Sequence, residues 1–393
     1  MPPTTMSTRP LRVALIPDSF KGSATAAEAA QAMAEGVERA TEAHARSAEI
    51  SALPFADGGE GTLDAICSAW GVEPRRVTAT DALGRPAEAR YAASMVDGKL
   101  IGLIEAAEAN GLPTVSDVPL QPQQATTYGV GTLISAALDA GCEEILLCIG
   151  GSATTDGGAG ILQALGARLL DSAGQEIGQG GGALQSLARI DTQDLDPRAS
   201  EVRWRIACDV TNPLLGPDGA ASVFGPQKGA TPQDVEVLDA ALTNFADLLS
   251  AEAGRDVRSE PGMGAAGGIP AALVSLFSAE IVPGGVLVAE TLGVHRVLEE
   301  ADVVLTGEGR LDSQSLHGKV VDTVRRLTPE GTPVFVIAGT VDVPAAELQR
   351  TGLTAAFSIA NGAEPIEELC SAAAGRIAHT AEQVLRVYLS ARP

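Results

Sequence analysis

The chain has 393 residues, 45% of them hydrophobic but only 3% aromatic, with a mean hydropathy of +0.14; that length suits two domains whose cores are built from Ala, Val, Leu and Ile. A formal net charge of −23 and a pI of about 4.5 exclude the basic footprint of a nucleic-acid binder and argue against docking on an anionic membrane surface. Five widely spaced cysteines without a C-x-x-C, and four histidines without an H-E-x-x-H, give neither a disulfide framework nor a zinc site.

In chain order, apolar runs alternate with helix-like patterns. The opening "MPPTTMSTRP" is polar and proline-rich and reads as a frayed tail. The run "VALI" is too short for a signal segment and no stretch approaches a membrane span, so a cytoplasmic protein is expected. "LRVALIP" reads as a buried strand, and "SATAAEAAQAMAEGVERA" as a helix with a capping box from Thr25 to Glu28. "RRVTATDALGRPAEARYAASMVDGKLIGLIEAA" has turn signals at "ALGRP" and "VDGK" between strand-like pieces; this hairpin pattern predicts a second domain starting near residue 77. "GTLISAALDAG" is helix-like, "EEILLCIG" strand-like, and "ILQALGARLL" helix-like again. After the strand-like "VRWRIACDV", the stretch "TPQDVEVLDAALTNFADLLSAEAG" predicts a helix capped by Thr231, with Pro232 in its first turn, Gly254 at its end, and a core stripe of Val235, Leu238, Leu242, Phe245 and Leu248. Ile281–Leu292 reads as further β structure, "ADVVLTG" and "TPVFVIAG" as buried strands, and Ile366–Leu389 as an amphipathic helix. Near-continuous apolar runs suit strands buried on both faces, as in a parallel sheet, so the fold class is α/β.

Polar residues gather after these runs. Asp18, Ser19 and Lys21 follow the first, Asp57 and Glu60 follow "SALPF", and Asp156 lies in "GGSATTDGGAG" after "EILLCI". Asp209 and Asn212 follow "WRIAC", and Glu308, Arg310, Asp312 and Lys319 follow "DVVLT". Open α/β sheets bind ligands outside the carboxyl ends of their strands. The glycine-rich "GGSATTDGGAG" is either a tight strand-to-helix turn or an anion site in which backbone N–H groups meet a phosphate, with Ser152, Thr154 and Thr155 as added donors. No His or Cys stands among these groups, which disfavours a Ser-His-Asp hydrolase or a thiol enzyme. Acids, lysines, arginine, glycines and hydroxyls favour phosphoryl transfer with Mg²⁺ held through oxygen, one carboxylate accepting the attacking hydroxyl's proton. Gly318–Lys319 does not complete a P-loop, and "GMGAAGG" lacks the preceding strand of a dinucleotide fingerprint, though it could form a backbone nest for an anion.

Taken together, "PDSFKGS", "FADGGEGT", "IGGSATTDGGAGILQALGA", "CDVTNPLLGPDGAASVFGPQKGA", "GMGAAGG" and "LTGEGRLDSQSLHGK" resemble the bacterial glycerate kinase family, the type that makes 2-phosphoglycerate. Thr155 stands where that resemblance leads one to expect asparagine. The resemblance implies phosphoryl transfer from ATP to D-glycerate with Mg²⁺. It also implies two α/β domains with the active site in the cleft between them. One is Rossmann-like with a parallel sheet and is built from both chain ends (residues 1–76 and 283–393); the other is a mixed α/β domain inserted in the middle (residues 77–282).

Roles are assigned on this basis. Lys21 is expected to contact phosphate or the glycerate carboxylate, with Ser19 and Ser23 as hydroxyl donors. Gly150, Gly151, Ser152 and Thr154 are expected to cradle phosphate. Asp57 either binds Mg²⁺ or orients substrate, and Asp156 either faces the metal or caps the following helix. Asp209 is the first choice for general base, assisted by Asn212, and Lys228 for stabilising transferred charge. Arg310 and Asp312 read as a substrate or phosphate clamp, with Glu308 and Lys319 as weaker candidates and His317 as an incidental loop histidine. The rival readings are a kinase of another small hydroxy acid, a glycerate 3-kinase, a non-catalytic ligand-binding protein on the same fold, and, last, a dehydrogenase. The sequence carries no signal for oligomeric state.

Overall fold

The structure, a computed structural model, describes residues 9–20, 22–313, 315–316, 319–360, 362 and 365–391. Lys21, His317 and most of the N-terminal tail lie outside the described residues. In chain order the strands are β1 (Leu11–Pro17), β2 (Ala48–Ala52), β3 (Arg75–Thr80), β4 (Pro86–Val96), β5 (Lys99–Glu105), β6 (Glu144–Cys148), β7 (Arg168–Leu170), β8 (Arg189–Asp191), β9 (Arg203–Ala207), β10 (Glu280–Val282), β11 (Val303–Leu311), β12 (Val334–Val341) and β13 (Ala355–Ser358). The chain divides into two compact units, one formed by the residues up to Asp57 together with Asp64–Gly71 and everything from Gly285 onward, the other by Gly58–Leu63 and Val72–Gly284.

In the first unit every strand pairing is parallel, in the order β13-β12-β11-β1-β2. Leu11, Val13 and Leu15 of β1 are buried with Val303 and Leu305 of β11, as their continuous apolar runs require. Helix Ala26–Ala43 begins with the expected capping box, Glu28 N–H donating to Thr25 Oγ1 and Thr25 N–H to Glu28 Oε2. Its face carrying Met33, Val37 and Ala40 shares a core with Ile377, Ala381 and Leu385 of helix Ala373–Ser390. The expected C-terminal helix is therefore two, Ile366–Ser371 and Ala373–Ser390, broken at Ala372 (φ −98°, ψ 5°).

The second unit has a six-stranded sheet, β10-β9-β6-β5-β4-β3, with β10, β9, β6 and β5 parallel and β5, β4 and β3 antiparallel. The hairpin language of residues 75–105 is realised as β3–β4–β5. Asp97 and Gly98 both have positive φ (50° and 83°), the conformation a two-residue turn matched to strand twist demands. At the other turn the Asp81 carboxylate accepts from Leu83 N–H and Arg85 N–H. Helix Pro232–Ala253 starts at a Thr231–Asp234 capping box and ends at Gly254 (φ 68°). Leu238, Leu242 and Phe245 of its stripe are fully buried, with Val235 and Leu248 packed at the margin. The two tryptophans divide between the units: Trp70 lies in the first, and Trp204 lies in the second, stacked on Phe277 with ring centroids 5.5 Å apart.

Two expectations are corrected. Ile281–Leu292 is mostly helix: β10 ends at Val282 and helix Gly284–Thr291 follows Pro283, burying Leu287, Val288 and Ala289. A short apolar run does not by periodicity distinguish a buried strand from a buried helix. "ILQALGARLL" is not one helix either. Helix Ala159–Ala164 stops before Gly166 (φ 103°), and Arg168–Leu170 becomes β7, paired antiparallel with β8.

Close packing of the two long helices rests on Gly36, where an added Cβ would overlap the Ala378 carbonyl oxygen and the Ala381 methyl. Gly36→Ala improves helix propensity yet lowers unfolding stability by about 1–3 kcal/mol, because the helices must part. Urea denaturation of the purified variant measures it.

Candidate active site

In the first unit the chain runs outward from β1 to β2 on one side and from β11 through β12 to β13 on the other, so strand order reverses between β1 and β11. Such a reversal leaves a crevice at the carboxyl ends, where open α/β sheets hold ligands. Pro17 is the register partner of Gly307, so Asp18, just past β1, lies beside Glu308 of β11, which runs on along β12 to Leu311. Asp18 N–H donates to Gly307 O at 2.8 Å, and the Asp18 carboxylate accepts from Ser19 N–H. Asp57, half-buried, follows β2 where Phe55 N–H still donates to Pro17 O.

Glu308 is only 7% exposed, and its Oε1 has no hydrogen-bond partner among the described residues. Burial is the main reason its carboxyl is pushed up to about 7; the Asp18 and Asp312 charges push the same way, while the Ser315 hydroxyl and Lys319 oppose them. Ser315 is buried and also closes the turn after β11, its hydroxyl donating to Arg310 O and accepting from Asp312 N–H. Arg310 is exposed and pairs with Asp342 at 2.9 Å and Asp312 at 3.8 Å, so it and Asp312 do sit together. Ser23 is corrected: its hydroxyl donates to Phe20 O and closes a turn rather than offering a donor outward.

In the second unit "GGSATTDGGAG" follows β6. Only Gly150 and Gly151 of its opening reach the surface; Ser152 to Gly160 are buried. An added Cβ at Gly150 would come 2.7 Å from Gly59 Cα, so backbone here meets backbone from "ADGGEGT". The Asp156 carboxylate, wholly buried, accepts from Thr127 N–H (2.8 Å), Thr127 Oγ1–H (2.9 Å), Gly158 N–H and Gly160 N–H (both 3.2 Å). Ile161 N–H donates to Thr127 Oγ1. Of the two readings the capping one is realised, and Asp156 has no face left for a metal. The N–H groups at the start of the short helix are spent inside the protein, so the expected phosphate site at that helix start is not formed by them.

Ser152 and Thr154, expected to cradle phosphate, are buried and accept bonds from within the unit. Lys228, 2% exposed, donates from Nζ to Thr154 O at 2.6 Å and to Ser152 Oγ at 3.1 Å. Asn110 Nδ2 donates to Thr154 Oγ1 at 3.1 Å. Desolvation pulls the Lys228 ammonium down to about 7, partly opposed by the Asp156 charge; burial in turn raises the Asp156 carboxyl. "GMGAAGG" is a packing element rather than an anion nest: Gly157 N–H donates to Gly267 O, and a Cβ at Gly267 would overlap the Thr154 carbonyl.

Asp209 is exposed beyond β9, and its carboxylate accepts from Gly284 N–H at 2.8 Å. Asn212 holds its own loop, Nδ2 donating to Asp218 O and its carbonyl accepting from Gly264 N–H. Sequence reasoning passed over Glu105, a buried acid at the end of β5 that accepts from Gly61 N–H and Leu63 N–H. Its one available signal was an acid closing an apolar strand. A cavity of about 390 Å³ in the first unit, lined by Arg12, Glu49, Arg296 and Glu300, lies at the amino ends of β1 and β2, and its Arg12 is already paired with Glu49 and Glu300.

A parallel and a mixed sheet with glycines and acids near the carboxyl ends of their strands, a buried lysine and an arginine, and no His or Cys among these groups, fit an α/β phosphotransferase. The chain belongs to the glycerate kinase family, whose model matches residues 13–389. It is 44% identical to the glycerate kinase of Halalkalibacterium halodurans over 88% of this chain and 90% of that one, and 41% identical to the glycerate 2-kinase of Escherichia coli over 91% and 93%. A crystal structure from Salmonella typhimurium LT2, provisionally described as glycerate kinase 2, superposes with a TM-score of 0.84 at 42% identity, covering 98% of this chain and 99% of that one. Among the described residues no helix is long and apolar enough to cross a membrane.

The buried lysine gives a pH test. Its folded value of about 7 lies below the ordinary 10.5, so the stability it contributes is present above about 10.5 and lost as pH falls toward about 7. The stability of wild type relative to Lys228→Met therefore rises between pH 7 and 10.5 in urea denaturation.

Proposed function

We propose that the protein transfers the γ-phosphoryl group of ATP to D-glycerate with Mg²⁺, forming 2-phosphoglycerate. What supports this reading above all is the family match over residues 13–389, together with 41% identity to a protein named glycerate 2-kinase. The physical arrangement agrees with it. Phosphoryl transfer needs positioning and charge stabilisation more than covalent chemistry, and the strand exits supply both.

Gly150 and Gly151 present backbone without side chains and can approach the triphosphate closely. Lys228, Asn110 and Asp156 keep that backbone rigid from beneath. Ser19, Arg310 and Asp312 are assigned to substrate and phosphate binding at the carboxyl ends of the first sheet, Lys21 to the same role, and Asn212 to support of the loop that presents Asp209. Mg²⁺ is held by one or two carboxylates plus phosphate oxygens and water rather than by a protein cage. The lack of a three-ligand cluster among the described residues is compatible with that, and the half-buried Asp57 carboxylate at a strand exit is the hard oxygen donor that fits. Bound there, the ion would supply charge neutralisation on the phosphate oxygens.

Two measurements test the reading. ³¹P NMR of the product from D-glycerate, ATP and Mg²⁺ shows phosphate on the secondary carbon's oxygen; a primary phosphate would overturn the product assignment, and absence of turnover the substrate. Gly150→Ala, whose Cβ would press on Gly59, lowers kcat/KM for ATP about 10- to 100-fold by displacing the loop.

A further inference from the structure

Asp18, Asp57, Asp209 and Glu308 are acids near the carboxyl ends of strands and candidates for the proton acceptor. Their surroundings differ. Asp209 is exposed, with one carboxylate oxygen taking the Gly284 N–H. Asp18 takes the N–H of Ser19 and begins the turn after β1. Glu308 is the buried one, and its Oε1 lies without a hydrogen-bond partner among the described residues at the place where strand order reverses. A buried carboxylate oxygen with no donor is costly to the fold and normally absent. Its presence at the carboxyl end of the central strand pair points to a group that completes it in the working enzyme, and an alcohol O–H is such a donor.

We infer that Glu308 is the general base that takes the proton of the substrate hydroxyl, a deepening that rests on the kinase reading above and moves this role from Asp209. As the hydroxyl oxygen forms its bond to the γ-phosphorus, the O–H proton passes to Glu308 Oε1. The bond from the γ-phosphorus to the β,γ-bridging oxygen breaks, ADP leaves with that electron pair, and Glu308 later returns the proton to water. The Ser315 hydroxyl, which lowers the proton affinity of Glu308, is held beside it by the turn, accepting from Asp312 N–H and donating to Arg310 O. Among the described residues the charged groups facing Glu308 are Asp18 beyond β1, Asp312 beyond β11 and Lys319 before helix Val320–Leu327. Two acids against one lysine raise its proton affinity and add to the effect of burial, so the group is poised near neutral pH, where a general base works best.

The test compares wild type with Glu308→Gln and Asp209→Asn. Wild-type kcat/KM for D-glycerate falls about tenfold per pH unit below about 7, the value to which Glu308 of the free enzyme is pushed. Glu308→Gln loses this acid limb and about 10²- to 10⁴-fold in kcat, with KM for both substrates and the Mg²⁺ requirement nearly unchanged. Asp209→Asn keeps the limb. A Glu308→Gln enzyme that retains the limb, or that is rescued by raised Mg²⁺, overturns the assignment. Wild type inactive on D-glycerate overturns the substrate reading and this inference with it, and shows itself before any variant is made. Folding supplies an independent readout. The folded carboxyl lies at about 7, above its ordinary 4.5, so its contribution to stability declines as pH rises from about 4.5 to 7. Glu308→Gln therefore melts with wild type near pH 5 and at or above it at pH 8; a variant that melts lower at pH 8 overturns the uncompensated carboxylate.

Discussion

A single buried carboxylate organises the second unit. Asp156 is taken wholly out of water, which is expensive for a charge unless donors surround it. Four N–H and O–H groups do so, from the residues just after it and from Thr127 at the head of helix Tyr128–Asp139. Those bonds make the loop after β6 and the start of the neighbouring helix one rigid piece. Lys228 adds a cation beneath the same loop, and the Asp156 charge is what keeps that lysine from losing still more of its basicity. The glycines follow from this crowding: with Gly267 against Thr154 and Gly150 against Gly59, any side chain would push the layers apart.

The first unit solves a different problem. Its sheet is parallel throughout, so the carboxyl ends of its strands share one edge, and the reversal between β1 and β11 opens that edge. Acids concentrate there in a chain that already carries a net charge of −23. General attraction for an anionic substrate is thus absent from the whole-molecule field, and local cations and N–H groups must supply it. Burial gives Glu308 most of its high proton affinity, and the same local excess of acid adds to it.

The sequence made the strands legible where apolar runs were long and flanked by turns, as at "LRVALIP", "EILLCI" and "VVLTG", and the helices where caps were explicit, as at Thr25 and Thr231. It misled where a run was short. "VLVAETL" has no period that separates strand from helix, and Gly166 ended a helix that its neighbours would have continued. At the site, residue type was legible and facing was not. Ser152, Thr154 and Asp156 have the chemistry of ligands but point inward, because neither spacing nor composition tells which side of a glycine-rich turn meets the core. Glu308 ranked low from sequence for the complementary reason: what sets it apart is burial beside Asp18, nearly three hundred residues away along the chain and adjacent only through the β1–β11 register.

The placement of the two tryptophans makes the molecule its own optical reporter. Trp70 belongs to the first unit and Trp204, stacked on Phe277, to the second, so replacing either with phenylalanine leaves tryptophan fluorescence that reads the other unit alone. Melting of the parallel sheet that carries Glu308 and of the sheet that carries the glycine-rich loop thereby become separately visible signals, without any added label.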